Sequence, residues 1–315
     1  MTVKFVPFNE AKAPNIVVDG SPNRNTVLTL SHWPKSGTPW ELKADTSAEI
    51  AFKYLDTPRF HVTADQVTNN HFDQDGLVGL FALIDPTTAR RHRELLIDVA
   101  TAGDFDAFKT RDAARIAFTL AAFAEAETSP FPSDVFDLAY PEMAAQLYVR
   151  TLDVFPRLIE NVDEFRSYWE AEDQSLSAGE ELIGRGIVTI EDRPNLDLAI
   201  VRAPQECHIS AIYNKTLSTR ILLLQGQKVE LRYRYEGWIQ LVSRKPAARV
   251  DLSALAADLN RDETGRGRWQ CDSVDALSPR LQIGGGPTSI PTEEIVSRVD
   301  HYLQTTTASW NPYDK

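Results

Sequence analysis

Cysteine is nearly missing from this sequence, occurring only as Cys207 and Cys271. Two thiols cannot build a disulfide framework or a thiolate zinc site, and free, buried thiols in a reducing cytosol are the expectation. Long apolar runs are missing too. The longest, Leu77 to Ile84 interrupted by Gly79, is far short of the roughly 20 residues that cross a bilayer. The opening stretch MTVKFVPFNEAKAPN has no apolar segment of signal-peptide length and no small-residue cleavage site. Neither secretion nor membrane insertion is expected, and a cytoplasmic location is. No Gly-Lys-Ser/Thr phosphate loop, GxGxxG turn or GxSxG elbow occurs.

Acid is what the chain has in excess. Forty-five Asp/Glu against 33 Lys/Arg give a net charge of −12, which argues against unselective binding of long nucleic acid. The distribution is uneven. Val201 to Arg268 holds twelve Lys/Arg and seven Asp/Glu, a local balance of +5, so the remainder carries −17. Such a split can draw a small anionic substrate to one side, and it is also what an unevenly charged, solvated surface looks like. With 315 residues, 43% of them hydrophobic, the chain can build two cored domains.

The pattern along the chain predicts a layered α/β protein. Ile16–Asp19 and Thr26–Leu30 read as strands, and Thr46-Ser47-Ala48-Glu49 has capping-box spacing for a helix reaching about Leu55. Phe60–Asn70 is β-prone, and an apolar helix follows over Leu77–Ile84. Asp85-Pro86 opens a helix running toward Ala102. Helical spacing continues through Arg111–Glu127 and from about Pro141 to Gly184. From Gly186 strands return, over 186–191, 196–202, 221–230 and 230–242, with a turn at Gln225-Gly226-Gln227. Helices are expected at Leu252–Asn260 and Thr292–Leu303. The division is an α/β domain at 1–140, a helical connector at 141–185 and a smaller α/β substrate domain at 186–315.

His71-Phe72-Asp73-Gln74-Asp75-Gly76 is the segment richest in chemistry. It places one imidazole and two carboxylates at alternate positions between a strand and a helix. Folded inward, they would hold a divalent ion, with the imidazole tilting preference from Mg2+ toward Mn2+. Gly76 would allow a sharp turn. The spacing equally suits a polar turn whose aspartates cap the next helix. An EF-hand loop is excluded, because its twelfth position would be Ala82.

The same segment resembles motif I, His-x-Asp-x-Asp-Gly, of the DHH-type phosphoesterase superfamily. Leu28–Pro34 is similar to the strand and Asp-His-His-Pro motif of that family, keeping His32 and Pro34 but reading Ser31-His32-Trp33. Asp45–Ile50 resembles its Ser-x-Ala-Glu helix start, Ile16–Asp19 its motif II, and Asp98–Phe105 its motif IV. The Asp19 and His32 segments precede His71, which implies a circularly permuted or rewired sheet. Trp238–Arg244 followed by Arg249–Ala256 is similar to the DHH-associated domain, whose strand ends in Ser-x-Arg before a Val-Asp-Leu-Ser helix. The glycine-rich loop of that domain has counterparts at Thr264–Trp269 and Gly284–Ser289, both without its histidine.

The resemblance implies metal-assisted hydrolysis of a phosphoester, phosphodiester or pyrophosphate. Two Mn2+ or Mg2+ ions would be held by Asp19, His32, His71, Asp73, Asp75 and Asp104, with His71, Asp73, Asp75 and His32 as the catalytic set. A small phosphorylated molecule or nucleotide would be gripped by Ser243 and Arg244, with Arg232 and Arg234 beside them. Arg232 and Arg234 alternate with tyrosines, so one face of a half-buried strand explains them equally. The alternative is a non-catalytic descendant that binds a phosphate, a nucleotide or a protein.

Overall fold

The computed structural model describes residues 3–225 and 228–314. It is a two-domain α/β fold with one sheet of four strands and one of six. The chain divides into two compact units, residues 1–174 with 241–243, and residues 175–240 with 244–315.

In the first unit, β1 (Lys4–Phe5), β2 (Asn15–Val18), β3 (Thr26–Leu30) and β4 (Gln66–Thr68) form an all-parallel sheet in the order β1-β4-β2-β3. Parallel strands buried on both faces read as continuous apolar runs, and β2 is buried at every position. Helix α1 (Ser47–Leu55) starts where Thr46 accepts the N–H of Glu49, a cap worth about 1 kcal/mol. Helix α2 (Gln74–Ile84) begins three residues before the expected Leu77, with Asp73 accepting the N–H of Gly76 as its cap.

Gly76 therefore lies inside a helix and makes no turn. Its missing side chain leaves room, since a Cβ would stand 2.2 Å from Asn69 Nδ2. Gly79 does the same for packing: a Cβ there would meet Val18 of β2 at 2.5 Å. The helix expected from Asp85 to Ala102 is two, α3 (Pro86–Arg91) and α4 (Arg93–Phe105), separated at His92. Helix α5 (Arg111–Ala124) and α6 (Tyr140–Glu160) follow, and the unit division falls within α7 (Arg166–Gly184). Val18, Leu30, Ala48, Leu77, Leu80 and Val99 sit in the core of this unit.

The second unit carries β5 (Thr189–Arg193), β6 (Leu198–Ala203), β7 (Arg220–Gln225), β8 (Lys228–Tyr233), β9 (Arg268–Cys271) and β10 (Arg280–Gly284). Their order is β5-β6-β7-β8-β10-β9, antiparallel except for β6 with β7. Helices α8 (Ile209–Tyr213), α9 (Ser253–Asp262) and α10 (Thr292–Thr305) complete it. The turn expected around Gln225 involves Gly226 and Gln227, which lie outside the described residues.

Two strand expectations fail. The β-prone run Phe60–Asn70 yields only the three residues of β4. The strand over 230–242 stops at Tyr233, because Tyr235–Gly237 winds into a 3-10 turn. Arg244 is therefore not at a strand end. The glycines of Gly284–Gly286 end β10 and turn the chain, with φ of 80° at Gly285 and 157° at Gly286. Among the described residues, no helix is long and apolar enough to cross a membrane.

Candidate metal centre

The C-terminal ends of parallel strands are where α/β sheets gather ligands. Asp19 directly follows β2, and Ser31 and His32 follow β3. Asn69, Asn70 and His71 lie beyond β4, with Asp73 and Asp75 at the start of α2. Asp104 comes from the last turn of α4. All six expected metal ligands meet here.

His32 Nε2 lies 3.5 Å from Asp19 Oδ1, 3.8 Å from Asp75 Oδ2 and 3.5 Å from Asp104 Oδ2. His71 Nε2 lies 3.1 Å from Asp19 Oδ2 and 2.9 Å from Asp73 Oδ2. Two ligand groups result, Asp19-His32-Asp75 and Asp19-His71-Asp73, each with ligand atoms within 4.8 Å of one another. Asp19 belongs to both. The His32 side chain is fully buried, whereas His71 and Asp73 are 21% and 28% exposed. One group is closed and the other reaches solvent.

Backbone conformation and hydrogen bonds hold these groups in place. Asp19 sits at φ 50°, in the left-handed region that Asp and Asn tolerate better than other side chains. Its Oδ1 accepts the Ser47 hydroxyl at 2.8 Å. Ser47 Oγ also accepts the His32 N–H. Asp75 accepts the N–H groups of Ser47 and Ala48, both at 2.7 Å, thereby capping α1 from across the sheet edge. Asp73 caps α2 through Oδ1 while Oδ2 faces His71. Only Asp73 caps the helix that follows, as the turn reading expected; Asp75 instead serves the start of α1.

Ser31, where the resemblance places an aspartate, is consumed structurally. Its hydroxyl accepts the N–H groups of Gly20 and Trp33, each at 3.1 Å. Its carbonyl accepts from Ser36, Thr38 and the buried ammonium of Lys43. Burial brings Lys43 down to about 8. Trp33, in place of a second histidine, stacks on His71 with ring centres 5.2 Å apart.

The charge states decide what the cluster suits. Burial keeps the His32 imidazole below its ordinary range despite Asp19 nearby, which favours the uncharged ring. Its Nδ1 stands 2.7 Å from the Asp45 carbonyl oxygen. A carbonyl only accepts, so Nδ1 carries the proton and Nε2 turns its lone pair toward three carboxylates. A metal-ligating histidine is held in this way, with its second N–H on a backbone carbonyl. Burial and the charges of Asp19 and Asp73 push Asp75 well up, over the opposing backbone N–H groups. Burial opposes ionisation of Asp19 as well, but the hydrogen bond and charge of His71, with the Ser47 hydroxyl, outweigh it and hold it down. Burial likewise opposes charge on His71, yet Asp73 and Asp19 raise it to about 11. The pocket thus draws positive charge from a histidine. Carboxylates and imidazoles of this kind suit Mn2+ and related ions, and the residues present fit such ions.

The expected phosphate-binding arginines are placed differently. Arg232 pairs with Glu230. Arg234 is buried, 2.6 Å from Glu236, and lies 4.1 Å over the Tyr213 ring. Arg244 lies 3.7 Å from the same Glu236. Ser243 falls with the first unit, where its N–H and that of Val242 donate to Asp45 Oδ1.

Sequence reasoning missed Asp45, Ser47, Asn70 and Trp33 as supports of the site. Asn70 Oδ1 lies 3.1 Å from His71 Nδ1. The resembled segments ran through Asp45, Ser47 and Trp33 without giving them a supporting role, and nothing local marks Asn70.

Residues 1–314 match the profile of DUF6687, a family of unknown function, and the chain belongs to that family. No curated protein and no solved structure matches it.

Proposed function

We propose that the chain is a divalent-metal-dependent hydrolase acting on a small phosphoester, phosphodiester or pyrophosphate, and a divergent, rewired relative of the DHH-type phosphoesterases. The observation that carries this reading is the buried His32, whose Nε2 faces Asp19, Asp75 and Asp104 while Nδ1 is tied to a backbone carbonyl. Asp19, His32, Asp75 and Asp104 would hold one Mn2+ or Mg2+, and Asp19, His71 and Asp73 a second. Such ions supply Lewis acidity toward water and toward phosphoryl oxygens.

The chain's own contribution is orientation. Asp19 joins the two groups, so a change at one reaches the other. The His71 ring is fixed on one face by Trp33 and at its two nitrogens by Asn70 and the carboxylates. His71 and Asp73 are the half-exposed ligands, so the substrate's phosphoryl group would approach from their side. The His32 side is buried.

Binding without turnover is the second reading. It is favoured by Ser31 and Trp33, which replace two polar ligand positions of the resembled motif and are committed to hydrogen bonding and stacking.

Hydrolysis assays of p-nitrophenyl phosphate, bis(p-nitrophenyl) phosphate and pyrophosphate, with Mn2+ and with Mg2+, test the proposal. Metal-dependent turnover that Asp104→Asn reduces at least tenfold is expected. Stoichiometric metal and phosphate binding without turnover selects the second reading. A protein that takes up no divalent ion contradicts both.

A further inference from the structure

The helices that meet at the metal centre diverge from it together. Ser47 and Ala48 at the start of α1 bond Asp75 at the start of α2. Eight residues along α2, about 12 Å at 1.5 Å per residue, Leu83 lines a cavity of about 190 Å3. Tyr54 and Leu55 at the end of α1 line it as well, together with Val3, Ile16 and Pro86. An apolar cavity of roughly 150 Å3 is enough to take up benzene, so this one has room for a single ring with a substituent.

Two acceptors of Tyr54 are already used. Its carbonyl accepts from His61 Nε2 at 3.0 Å, and its hydroxyl accepts the Val62 N–H. The lining is predominantly apolar, with the Tyr54 O–H as a polar group. The mouth is not. Exposed His61 and Arg90 stand there, and Arg90 Nη2 donates to Leu55 O and Asp56 Oδ1. Asp56 is shared with Arg93, 2.5 Å away. Two guanidiniums on one carboxylate leave one positive charge uncompensated within that trio, beside an apolar pocket of one-ring size.

We propose that this cavity, remote from the metal centre, binds a small monocarboxylate with an apolar, one-ring body, its carboxylate held at Arg90. The site makes no use of the metal ligands and stands apart from the hydrolase reading.

Benzoate is the probe, titrated into the 315-residue chain in excess EDTA so that carboxylate coordination by a metal contributes nothing. Saturable binding at one site is expected, at least tenfold tighter than for benzyl alcohol. Leu55→Trp, which fills the cavity from a half-buried position, should abolish it. Arg90→Gln, an exposed change that leaves the core alone, should reduce benzoate to the level of benzyl alcohol. No saturable benzoate binding by wild type overturns the proposal, as does equal affinity for benzoate and benzyl alcohol. Undiminished benzoate binding by folded Arg90→Gln also overturns it. Asp19→Asn should bind benzoate as wild type does, which separates this result from any failure at the metal centre.

Discussion

In the first unit the buried ionisable groups include Asp19, His32 and Asp75; in the second they include Arg220, Arg234 and Arg249. The arginines are met by groups already in place. Arg249 donates to the carbonyls of Ala276, Leu277 and Arg234, and burial brings it down to about 10. Arg220 donates to the carbonyls of Leu196 and Ala248, and Arg234 has Glu236 and the Thr216 carbonyl. The acids of the first unit meet histidines and one another, with like charges close enough to push Asp75 up. Buried charge costs stability unless it is paired and hydrogen-bonded. The arginine cluster is held mainly by main-chain carbonyls, although Nε of Arg220 and of Arg249 is buried without a hydrogen-bond partner. The other, on the proposed reading, would be completed by a divalent cation.

If that contrast holds, removing a buried charge should be ruinous in the second unit and tolerated in the first. Arg249→Ala has the largest expected effect on folding. It strips donors from several buried carbonyls at about 1–3 kcal/mol each, so a loss on the order of 4 kcal/mol is expected in denaturant unfolding. A loss below about 1 kcal/mol would mean that water reaches those carbonyls and that the second cluster is not closed.

Asp75→Asn comes next. The amide keeps one acceptor where two backbone N–H groups converge, which costs about 1–3 kcal/mol, and relief from the neighbouring acids offsets part of that. A folded, modestly destabilised protein with little bound metal is expected. Wild-type metal content by elemental analysis would reduce Asp75 to a helix cap.

The smallest effect is confined to pH. Glu263 accepts from Ser289, Thr288 and the Gly265 N–H. Burial opposes its charge, but these bonds win and bring it from 4.5 down to about 2. A depressed carboxylate stabilises fully above its unfolded value and loses that contribution as pH falls toward its folded one. Glu263→Gln should therefore be less stable than wild type at neutral pH, with the gap closing between pH 4.5 and about 2. A pH-independent gap would assign the effect to packing alone.

Legibility in the sequence follows how local each signal is. The Thr46 cap, the strands at Ile16 and Thr26, and the His71–Gly76 run depend on neighbours in the chain, and each could be read there. The gathering of Asp19, His32 and Asp104 around that run came only from the resemblance. Their spacing alone carries nothing, because the sheet, not the sequence, brings them together. Strand lengths were overestimated at Phe60–Asn70 because β-propensity reports fit to a half-buried pleated surface, and His61, Thr63 and Asp65 are exposed loop residues instead. The burial of Arg249 could not be read at all. Its partners are main-chain carbonyls at 234, 276 and 277, which no residue type announces.

Asp19 is where the contrast between the units can be tested with least disturbance. Asparagine tolerates its left-handed backbone, keeps an acceptor for Ser47, and removes the charge shared by both ligand groups. Manganese bound per chain should be measured in wild type and Asp19→Asn after saturation and desalting, with unfolding followed alongside. The account predicts up to two ions in wild type, almost none in the variant, and metal-free stability within about 1 kcal/mol of wild type. Equal metal content in the two proteins, or none in either, would contradict it.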